Sequence, residues 1–222
     1  MPKVTEKYLE EKRRMIVDCA YQVCLRKPVE MVTISDVIAE TGMSQGAIYR
    51  YYAGLDEILT DMATKMRSDY NIIDSFNEIL SDKKASIEEL TYRVCDCLAE
   101  AMEKHLMDIQ KINFDLGVLT INEPERAAKI MADIKGTGNL EYLGKNALPR
   151  LIEGSYKLGY QPTATPEEIG LFVSAAYTGI EKFCIMSACY GTGAPNVKAE
   201  PKKLFKTLAQ SIILLLGGKT DD

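Results

Sequence analysis

Apolar residues recur at intervals of three and four along nearly every long segment of this 222-residue chain. That spacing lines one face of an α-helix, whereas a half-buried strand would need apolar and polar residues in strict alternation. No segment alternates convincingly. An all-α fold is therefore predicted, and the composition, 46% hydrophobic and 27% charged, is that of an ordinary globular protein.

Turn and capping residues divide this pattern into separate helices. Residues 33–36 and 86–89 are typical capping boxes, and residues 165–168 place a cap, a first-turn proline and a returning carboxylate in their preferred order. Gly136 and Gly138 predict a kink. The predicted helices span about residues 5–26, 34–41, 45–52, 55–80, 87–105, 107–118, 124–158, 166–190 and 201–216, and the loop 191–195 separates the last two.

The net charge of −5 argues at first against a nucleic-acid partner, but the charges are unevenly distributed. Residues 1–55 carry eight Lys and Arg against seven Asp and Glu, and residues 56–222 carry nineteen against twenty-five. A small, nearly neutral head can bind DNA if its cations and donors line one face, while the acidic remainder discourages non-specific binding. Charge therefore permits a DNA partner without identifying one.

The cysteines and the apolar runs indicate the compartment. Neither a C-x-x-C pair nor a compact disulfide framework occurs among Cys19, Cys24, Cys95, Cys97, Cys184 and Cys189. Most fall at helical-core spacing, which favours reduced, packed thiols; a redox switch between Cys95 and Cys97 is the alternative. There is no signal-peptide pattern, and the longest aliphatic run, residues 212–216, is far shorter than the roughly 20 residues that span a bilayer. We expect a cytoplasmic protein without a membrane partner.

Residues 33–52 are predicted to form two short helices joined by a tight turn. Gly42 supplies a left-handed turn residue, and Ser44 caps the second helix. Ile48 and Tyr52 lie four residues apart, so both can pack inwards on the first helix. A DNA-recognition helix needs this arrangement, because its opposite face has to enter the major groove.

The outward side of that second helix has chemistry suited to double-stranded DNA. It would present Gln45, Tyr49, Arg50 and Tyr51, with Gly46 permitting a close backbone approach. Phenol hydroxyls can bind phosphate oxygens, Arg can bind guanine or phosphate, and Gln can recognise adenine. The alternative is a packed helical hairpin that merely carries surface tyrosines.

Residues 33–37 and 42–52 resemble the DNA-binding domain of the TetR family of transcriptional regulators, and the resemblance covers residues 9–59. In that family the cap of the second helix, the first turn of the third helix, and a tyrosine with the two residues after it contact DNA. The resemblance therefore implies DNA contacts by Thr33, Ser44, Gln45, Gly46, Tyr49, Arg50 and Tyr51.

Two positions depart from the family pattern. Leu55 stands where the family usually has a phosphate-binding lysine, so that contact is expected to be missing or replaced by another cation. Ile38 stands where a small residue normally lets the two helices approach, which implies a slightly different crossing or a compensating small neighbour. Neither departure changes the spacing of the motif.

Beyond residue 60 the resemblance is one of layout. It implies an N-terminal three-helix helix-turn-helix DNA-binding domain, residues 1–54, and a C-terminal helical bundle for ligand binding and dimerisation, residues 55–222. Similar proteins are homodimers that pair through their last two helices. Helices 166–190 and 201–216 are apolar on more than one face and so need burial on both sides. The predicted interface residues are Phe183, Leu204, Leu208, Ile212 and Leu215.

The bundle of such regulators encloses a small-molecule effector. Apolar residues with a few polar tips suit such a site. The candidates are Met102, His105, Ile109, Phe114, Tyr156, Phe172 and Tyr177, with ordinary core packing as the alternative for each. Their composition predicts a hydrophobic or aromatic effector. His105, the only histidine, lies one turn before Asp108 and could orient a ligand or sense pH, unless it is simply a solvated or core residue.

These features predict a ligand-responsive transcriptional regulator: a homodimeric repressor that binds a palindromic operator and releases it when the effector binds. An enzyme is not expected, because the chain has one histidine and none of the familiar metal, nucleophile or phosphate-loop motifs. No cofactor or metal ion is predicted. The alternative function is a helical protein-interaction or architectural DNA-binding module without an inducer.

Overall fold

A computed structural model describes residues 5–190 and 199–220, and within that part every regular element is helical, which confirms the all-α prediction. The predicted loop 191–195 lies outside the described residues. The α-helices are α1 Glu6–Arg26, α2 Ile34–Thr41, α3 Gln45–Ile48, α4 Leu55–Asp69, α5 Ile73–Ser81, α6 Ile87–His105, α7 Lys111–Asn122, α8 Pro124–Ala132, α9 Asn139–Tyr142, α10 Leu148–Lys157, α11 Pro166–Tyr190 and α12 Pro201–Leu215. A 3₁₀ turn, Val29–Met31, and two π-helical segments, Leu106–Gln110 and Leu143–Ala147, complete the described elements.

Several predicted helix boundaries were wrong. The predicted helix 55–80 is broken between α4 and α5, and the predicted helix 124–158 is broken between α8 and α9, where Gly136 adopts a φ of +83°. The backbone N–H of Ile72 donates to Asn139 Oδ1 at 3.0 Å, a long-range bond that no local pattern announces. Conversely, α6 and α7 are not separate, because the π segment Leu106–Gln110 joins them.

The chain folds as two compact units. The N-terminal unit runs to Tyr70 and also includes Lys111–Gly136; the C-terminal unit consists of Asn71–Gln110 and the chain from Thr137. The unit that contains the first three helices is therefore larger than the predicted domain of residues 1–54. The boundary at residue 54 stays a prediction, and it concerns only the part of this unit that is expected to bind DNA.

Polar bonds attach residues 111–136 to the N-terminal helices. They join Lys111 Nζ to the Cys24 carbonyl oxygen (3.1 Å), Asn122 Nδ2 to Glu30 Oε2 (2.7 Å), Arg126 Nε to Asp56 Oδ1 (2.8 Å), Thr60 Oγ1 to the Ile130 carbonyl oxygen (3.1 Å) and Arg67 Nη1 to the Gly136 carbonyl oxygen (2.9 Å). The apolar core of this unit includes the fully buried Ile16, Ile48, Ile58 and Leu59. Residues distant in sequence thus form one body around α1 and α4.

The start of α2 has the predicted capping box. Thr33 Oγ1 accepts the backbone N–H of Asp36 at 3.2 Å, and Asp36 Oδ2 accepts the backbone N–H of Thr33 at 2.7 Å. Lys27 Nζ also donates to Asp36 Oδ2, at 2.7 Å. These donors, first Lys27 and then Thr33, lower the pKa of Asp36 from 3.8 to about 2.

The C-terminal unit is built around a single apolar core to which α5, α6, α10, α11 and α12 contribute. Its largest fully buried side chains include Phe76, Met102, Ile169 and Phe205. The Phe76 ring stacks on Tyr142 with a centroid distance of 6.2 Å. Such burial supplies most of the free energy that holds these helices together.

Gly217 ends α12 in a left-handed conformation, with a φ of +84°. The backbone N–H of Gly218 donates to the Ile213 carbonyl oxygen at 2.9 Å, and the backbone N–H of Thr163 donates to the Leu215 carbonyl oxygen at 2.9 Å. A Cβ on Gly217 would lie 2.4 Å from the carbonyl oxygen of Gln161. Glycine is thus required here both by φ and by space.

Within the described residues, one helix is long and apolar enough to cross a membrane by length and composition, Pro166–Ala188, with 28% of its most apolar window buried. The core helix of a soluble protein and a signal sequence meet the same criterion. This is weak evidence for a membrane span.

Three cysteines, Cys24, Cys95 and Cys184, are buried as free thiols, and burial raises their pKa values to about 12, 12 and 11. A thiol with a raised pKa stays protonated and unreactive at neutral pH. This confirms packed, reduced thiols at these three positions. The side chain of Cys189 lies outside the described residues.

Replacing Gly217 by Ala is expected to destabilise the C-terminal unit. A left-handed residue other than glycine costs about 1–3 kcal/mol, and the new Cβ would meet backbone that cannot yield. Gly170→Ala in α11 is the control, because its Cβ meets nothing within 4 Å. Denaturant unfolding followed by circular dichroism should give a lower free energy of unfolding for Gly217→Ala only. Equal stability of the two variants would contradict the role assigned to this turn.

The Asp36 carboxylate is expected to make the stability of the N-terminal unit depend on pH. Its folded pKa lies below the ordinary value of 3.8, so its contribution is present above that pH and is lost as the pH falls toward 2. Asp36→Asn should therefore be less stable than the parent at pH 7, by a margin that shrinks toward pH 2. Thermal unfolding measured across this range, with Asp133→Asn as the control, tests this. A margin that does not vary with pH would show that the charge is irrelevant.

Candidate nucleic-acid interface

A left-handed glycine joins α2 to α3, as predicted. Gly42 has φ 65° and ψ 10°, and the backbone N–H of Met43 donates to Thr41 Oγ1 at 3.2 Å. Ser44 Oγ accepts the backbone N–H of Ala47 at 3.3 Å and so caps α3. Regular helix ends at Ile48 rather than at residue 52, and the chain continues to Tyr52 as hydrogen-bonded turns.

The inward side of this segment is anchored by Ile48 and Tyr52, which are 0% and 3% exposed. Tyr52 Oη donates to Asp61 Oδ2 on α4 at 2.8 Å, and burial followed by this bond raises the pKa of the Tyr52 phenol. The Arg13 guanidinium lies 4.8 Å from the centre of the Tyr52 ring and donates to the Tyr51 carbonyl oxygen at 2.7 Å. α1 and α4 therefore hold the turns after α3 in place. The role of Arg13 was not predicted, since no local pattern links residues so far apart.

The outward side carries the predicted polar groups. Gln45 and Arg50 are exposed, and Tyr49 is 47% exposed. Tyr51, predicted to face outwards, is half-buried. A Cβ on Gly46 would meet nothing within 4 Å, so packing within the protein does not require a glycine there. The arrangement leaves this surface open to a close partner.

The two capping hydroxyls differ in what they can still donate. Thr33 Oγ1 donates to Asp36 Oδ2 at 2.7 Å, so its proton is already used. Ser44 Oγ acts as an acceptor in its cap, and its proton can be donated to an incoming phosphate oxygen. Both residues are exposed. Of the two hydroxyls, that of Ser44 is therefore the better placed to donate to an incoming acceptor.

The two departures from the family pattern lie beside this surface. Leu55 is the first residue of α4 and is half-buried, so an apolar side chain stands where the family usually has a lysine. Ile38 is also half-buried, next to the fully buried Val37 on α2. Side chains of this size are thus accommodated at both positions.

Three of the candidate effector residues are buried in the C-terminal unit. Met102 and Tyr177 belong to its core cluster, and Ile109 is 6% exposed. Tyr177 Oη donates to Gln110 Oε1 at 3.5 Å, and the Tyr177 ring lies 6.0 Å from that of Phe205. Tyr177 is thus in contact with a polar group, Gln110, that was not predicted.

The other candidates lie elsewhere. Tyr156 is 51% and Phe172 is 42% exposed, because each lies one position off the inward face of its helix, beside Ser155 and Val173 respectively. Phe114 is half-buried and belongs to the N-terminal unit. The predicted set is therefore not one cluster.

His105 is half-buried at the end of α6, and its Nδ1 lies 3.2 Å from Asp108 Oδ2, the partner that the sequence suggested. A bond to a carboxylate one turn away fixes the orientation of the ring. This geometry agrees equally with a structural histidine and with a ligand-orienting one.

Two polar residues of the C-terminal unit were missed from the sequence. Gln110 is 8% exposed, on the π segment. Glu181 is half-buried on α11, and burial raises the pKa of its carboxyl to about 7. The orientation of Gln110 depends on the π segment, and Glu181 looks like any other helical glutamate, so no local signal would have found them.

The predicted dimer residues divide into two groups. Leu208 and Ile212 are each 4% exposed within the core of their own chain, so they are not available to a second subunit. The other three predicted residues are half-buried: Phe183, Leu204 and Leu215. The exposed apolar side chains of α11 and α12 are instead Leu171 (65%), Phe172 (42%), Met186 (40%) and Leu214 (54%).

Comparison with known proteins gives one curated relative in sequence. No family model matches the chain. The "Uncharacterized HTH-type transcriptional regulator YfiR" of Bacillus subtilis (strain 168) is 35% identical over 57 residues, which is 26% of this chain and 28% of that protein. The matched part thus spans little more than a quarter of the relative.

Solved structures match over nearly the whole chain. The fatty acid degradation regulator FadR from Bacillus halodurans has a TM-score of 0.61 and 16% identity, covering 92% of this chain and 94% of its own. A TetR-family transcriptional regulator from Mesorhizobium loti has 0.62 and 14%, covering 93% and 96%, and one from Syntrophomonas wolfei has 0.60 and 17%, covering 94% and 96%. The chain has the fold of the TetR-family transcriptional regulators, which confirms the resemblance drawn from its helix-turn-helix residues.

Proposed function

We propose that this chain is a ligand-responsive transcriptional regulator that binds a palindromic operator as a homodimer, acts as a repressor, and releases DNA when a small hydrophobic or aromatic effector binds its C-terminal unit. The observation that carries the proposal is the anchored segment after α2, with Ile48 and Tyr52 sealed behind an exposed row of Gln45, Tyr49 and Arg50. The fold and the names of the relatives support it. No enzymatic activity is proposed, and the cytoplasm is the proposed location, since the protein acts on DNA.

The proposed DNA contacts follow the chemistry of the exposed row. Arg50 would bind guanine or phosphate, the Tyr49 hydroxyl and the Ser44 hydroxyl would bind phosphate oxygens, and Gln45 would recognise adenine. A dimer would present two such helices to successive major grooves, about 34–36 Å apart. The full proposed set is Thr33, Ser44, Gln45, Gly46, Tyr49, Arg50 and Tyr51.

The proposed dimer forms through the outer faces of α11 and α12. Leu171, Met186 and Leu214 are exposed there, and covering apolar side chains by a second copy removes them from water. Leu208 and Ile212 would support this surface from inside the subunit. Phe183, Leu204 and Leu215 remain candidates at its border.

The proposed release mechanism is a shift between two conformations. The effector favours the conformation in which the spacing of the two recognition helices no longer matches that of the major grooves. Binding of the effector and binding of DNA must then be mutually antagonistic. Residues 111–136 are bonded to α1 and α4, so the body that carries the recognition helix extends far beyond the first three helices.

Tyr49→Ala is expected to weaken operator binding about tenfold or more, the loss typical of a hydrogen bond to a charged group. Tyr156→Ala is the matched control, because Tyr156 is exposed to a similar extent, 51% against 47%, and lies in the other unit. Fluorescence anisotropy at fixed salt, with an operator selected from random duplex DNA, measures both. Unchanged affinity of Tyr49→Ala would refute the assigned interface.

Leu171→Glu is expected to convert the dimer to a monomer, because it places a charge in the proposed apolar interface. Leu158→Glu is the control, since Leu158 is exposed to a similar extent, 62% against 65%, but follows α10. Leu208→Glu would not serve as a test, because a charge inside the core would unfold the subunit. Sedimentation velocity distinguishes monomer from dimer, and a Leu171→Glu variant that stays dimeric would exclude this face.

A further inference from the structure

The core of the C-terminal unit contains few buried polar side chains, and one of them is unusual. Among the described residues of that unit, Thr91, Ser155 and Gln110 are buried. The hydroxyls of Thr91 and Ser155 donate to carbonyl oxygens of their own helices, at 2.7 Å each, as is common for such residues. Gln110 instead projects its amide toward another helix, where Tyr177 Oη is 3.5 Å from Gln110 Oε1.

The π segment Leu106–Gln110 places this amide where it is. Inward-facing residues occur at Ile109 and Gln110 in succession, before the ordinary pattern resumes at Ile112. A π turn admits an extra residue into a helix and is frequently found at functional sites. The local distortion thus delivers a polar group into an apolar interior.

A second polar group lies on the helix opposite Gln110. Glu181 is one turn after Tyr177 and one turn before Cys184 and Ile185, and those three residues are 9%, 1% and 5% exposed. Glu181 is therefore on the inward side of α11. We call Gln110, Tyr177 and Glu181 the Glu181 site.

The Glu181 carboxylate has no counter-ion in the described part of the chain. No ion pair or hydrogen bond there involves its oxygens, and its neighbour Lys182 is exposed. Every fully buried side-chain nitrogen or oxygen in that part has a hydrogen-bond partner, so the unpartnered Glu181 oxygens must be reached by solvent. The Gln110 amide nitrogen also has no hydrogen-bond partner in the described part of the chain, so by the same reasoning solvent must reach it.

This combination of burial and access favours a cation. A half-buried carboxylate without a partner is costly, and burial accordingly raises the pKa of Glu181 to about 7. An incoming cation would offset that cost, whereas an anion would add to it. The oxygens of Gln110 and Tyr177 offer two further acceptors, and the surrounding side chains are apolar.

We infer that the Glu181 site binds the ammonium group of an amphipathic organic amine, whose apolar part packs among the neighbouring apolar side chains. Glu181 would supply the counter-charge, and Gln110 Oε1 and Tyr177 Oη would accept further ammonium protons. The inference rests on the proposed function, because it names the chemical class of the effector.

The test uses n-octylammonium, 1-octanol and octanoate as probes of equal chain length, with binding measured by isothermal titration calorimetry on the full chain. The parent should bind n-octylammonium more tightly than 1-octanol and should not bind octanoate. Glu181→Gln should lose about tenfold or more in affinity for n-octylammonium, the loss typical of a charge-assisted bond, and keep its affinity for 1-octanol. Glu100→Gln, an exposed glutamate on α6, is the control and should behave as the parent.

Three outcomes would overturn the inference: octanoate or 1-octanol binding the parent as tightly as n-octylammonium, equal n-octylammonium affinity in Glu181→Gln, or no binding of n-octylammonium at all. Unfolding of both variants by denaturant checks that each is folded; retained 1-octanol binding by Glu181→Gln is a second check.

Operator release separates this inference from the proposed function. If n-octylammonium releases DNA from the parent but not from Glu181→Gln, the Glu181 site and the proposed function are both supported. If it binds through Glu181 without releasing DNA, the site is supported and the repressor mechanism is overturned. If another chemical class releases DNA while n-octylammonium does not bind, the regulator stands and the Glu181 site is refuted.

Discussion

Burial of Ile48 and Tyr52 determines the direction of every other side chain between residues 45 and 52. The regular part of α3 has only four residues, too few to be stable through its own hydrogen bonds. Removal of these two large side chains from water stabilises the segment by about 1.5–3 kcal/mol each. The Tyr52 side chain is oriented by its bond to Asp61 and by the Arg13 guanidinium, which lies over the Tyr52 ring. The exposed row is therefore held by packing against α1 and α4.

The body that holds this row includes residues that follow the Glu181 site directly in the chain. Gln110 ends the π segment, and the next residue, Lys111, donates to the carbonyl oxygen of Cys24 in the last turn of α1. A cation at that end of a helix is favoured by the helix dipole. A ligand that holds Gln110 would thus act on a residue covalently joined to the one that binds α1.

The sequence could predict those features that local spacing determines. The capping box at Thr33, the left-handed Gly42 and the inward Ile48 and Tyr52 depend on residues within four positions of one another, and all were predicted correctly. The break before α5 depends on the long-range bond from Ile72 to Asn139, and it was missed.

The second feature that the sequence could not predict was which residues of each helix face inwards. Sequence spacing shows that α12 is apolar on more than one face, but not which apolar side chains its own subunit buries. Leu208 and Ile212 proved to belong to the core, and Leu214 to the outside. Tyr156 and Phe172 were chosen for their chemistry, and each lies one position away from the inward face. The orientation of Gln110 depends on a single extra residue in one turn, which the amino-acid pattern does not reveal.

The ion pairs of the N-terminal unit limit the number of cations that the proposed DNA complex could use. Lys27 is paired with Asp36 at 2.7 Å and Arg26 with Glu40 at 2.5 Å, while Leu55 replaces the lysine usual in the family. Residues at these three positions would therefore neutralise fewer DNA phosphates in the proposed complex. The sequence-independent part of the affinity for DNA would be smaller as a result. In the proposed complex, neutral donors such as Tyr49 would then carry a larger share of the contact energy. Because hydroxyl and amide groups require correct geometry to bind at all, the rigid anchoring of the segment behind them becomes the condition for recognition.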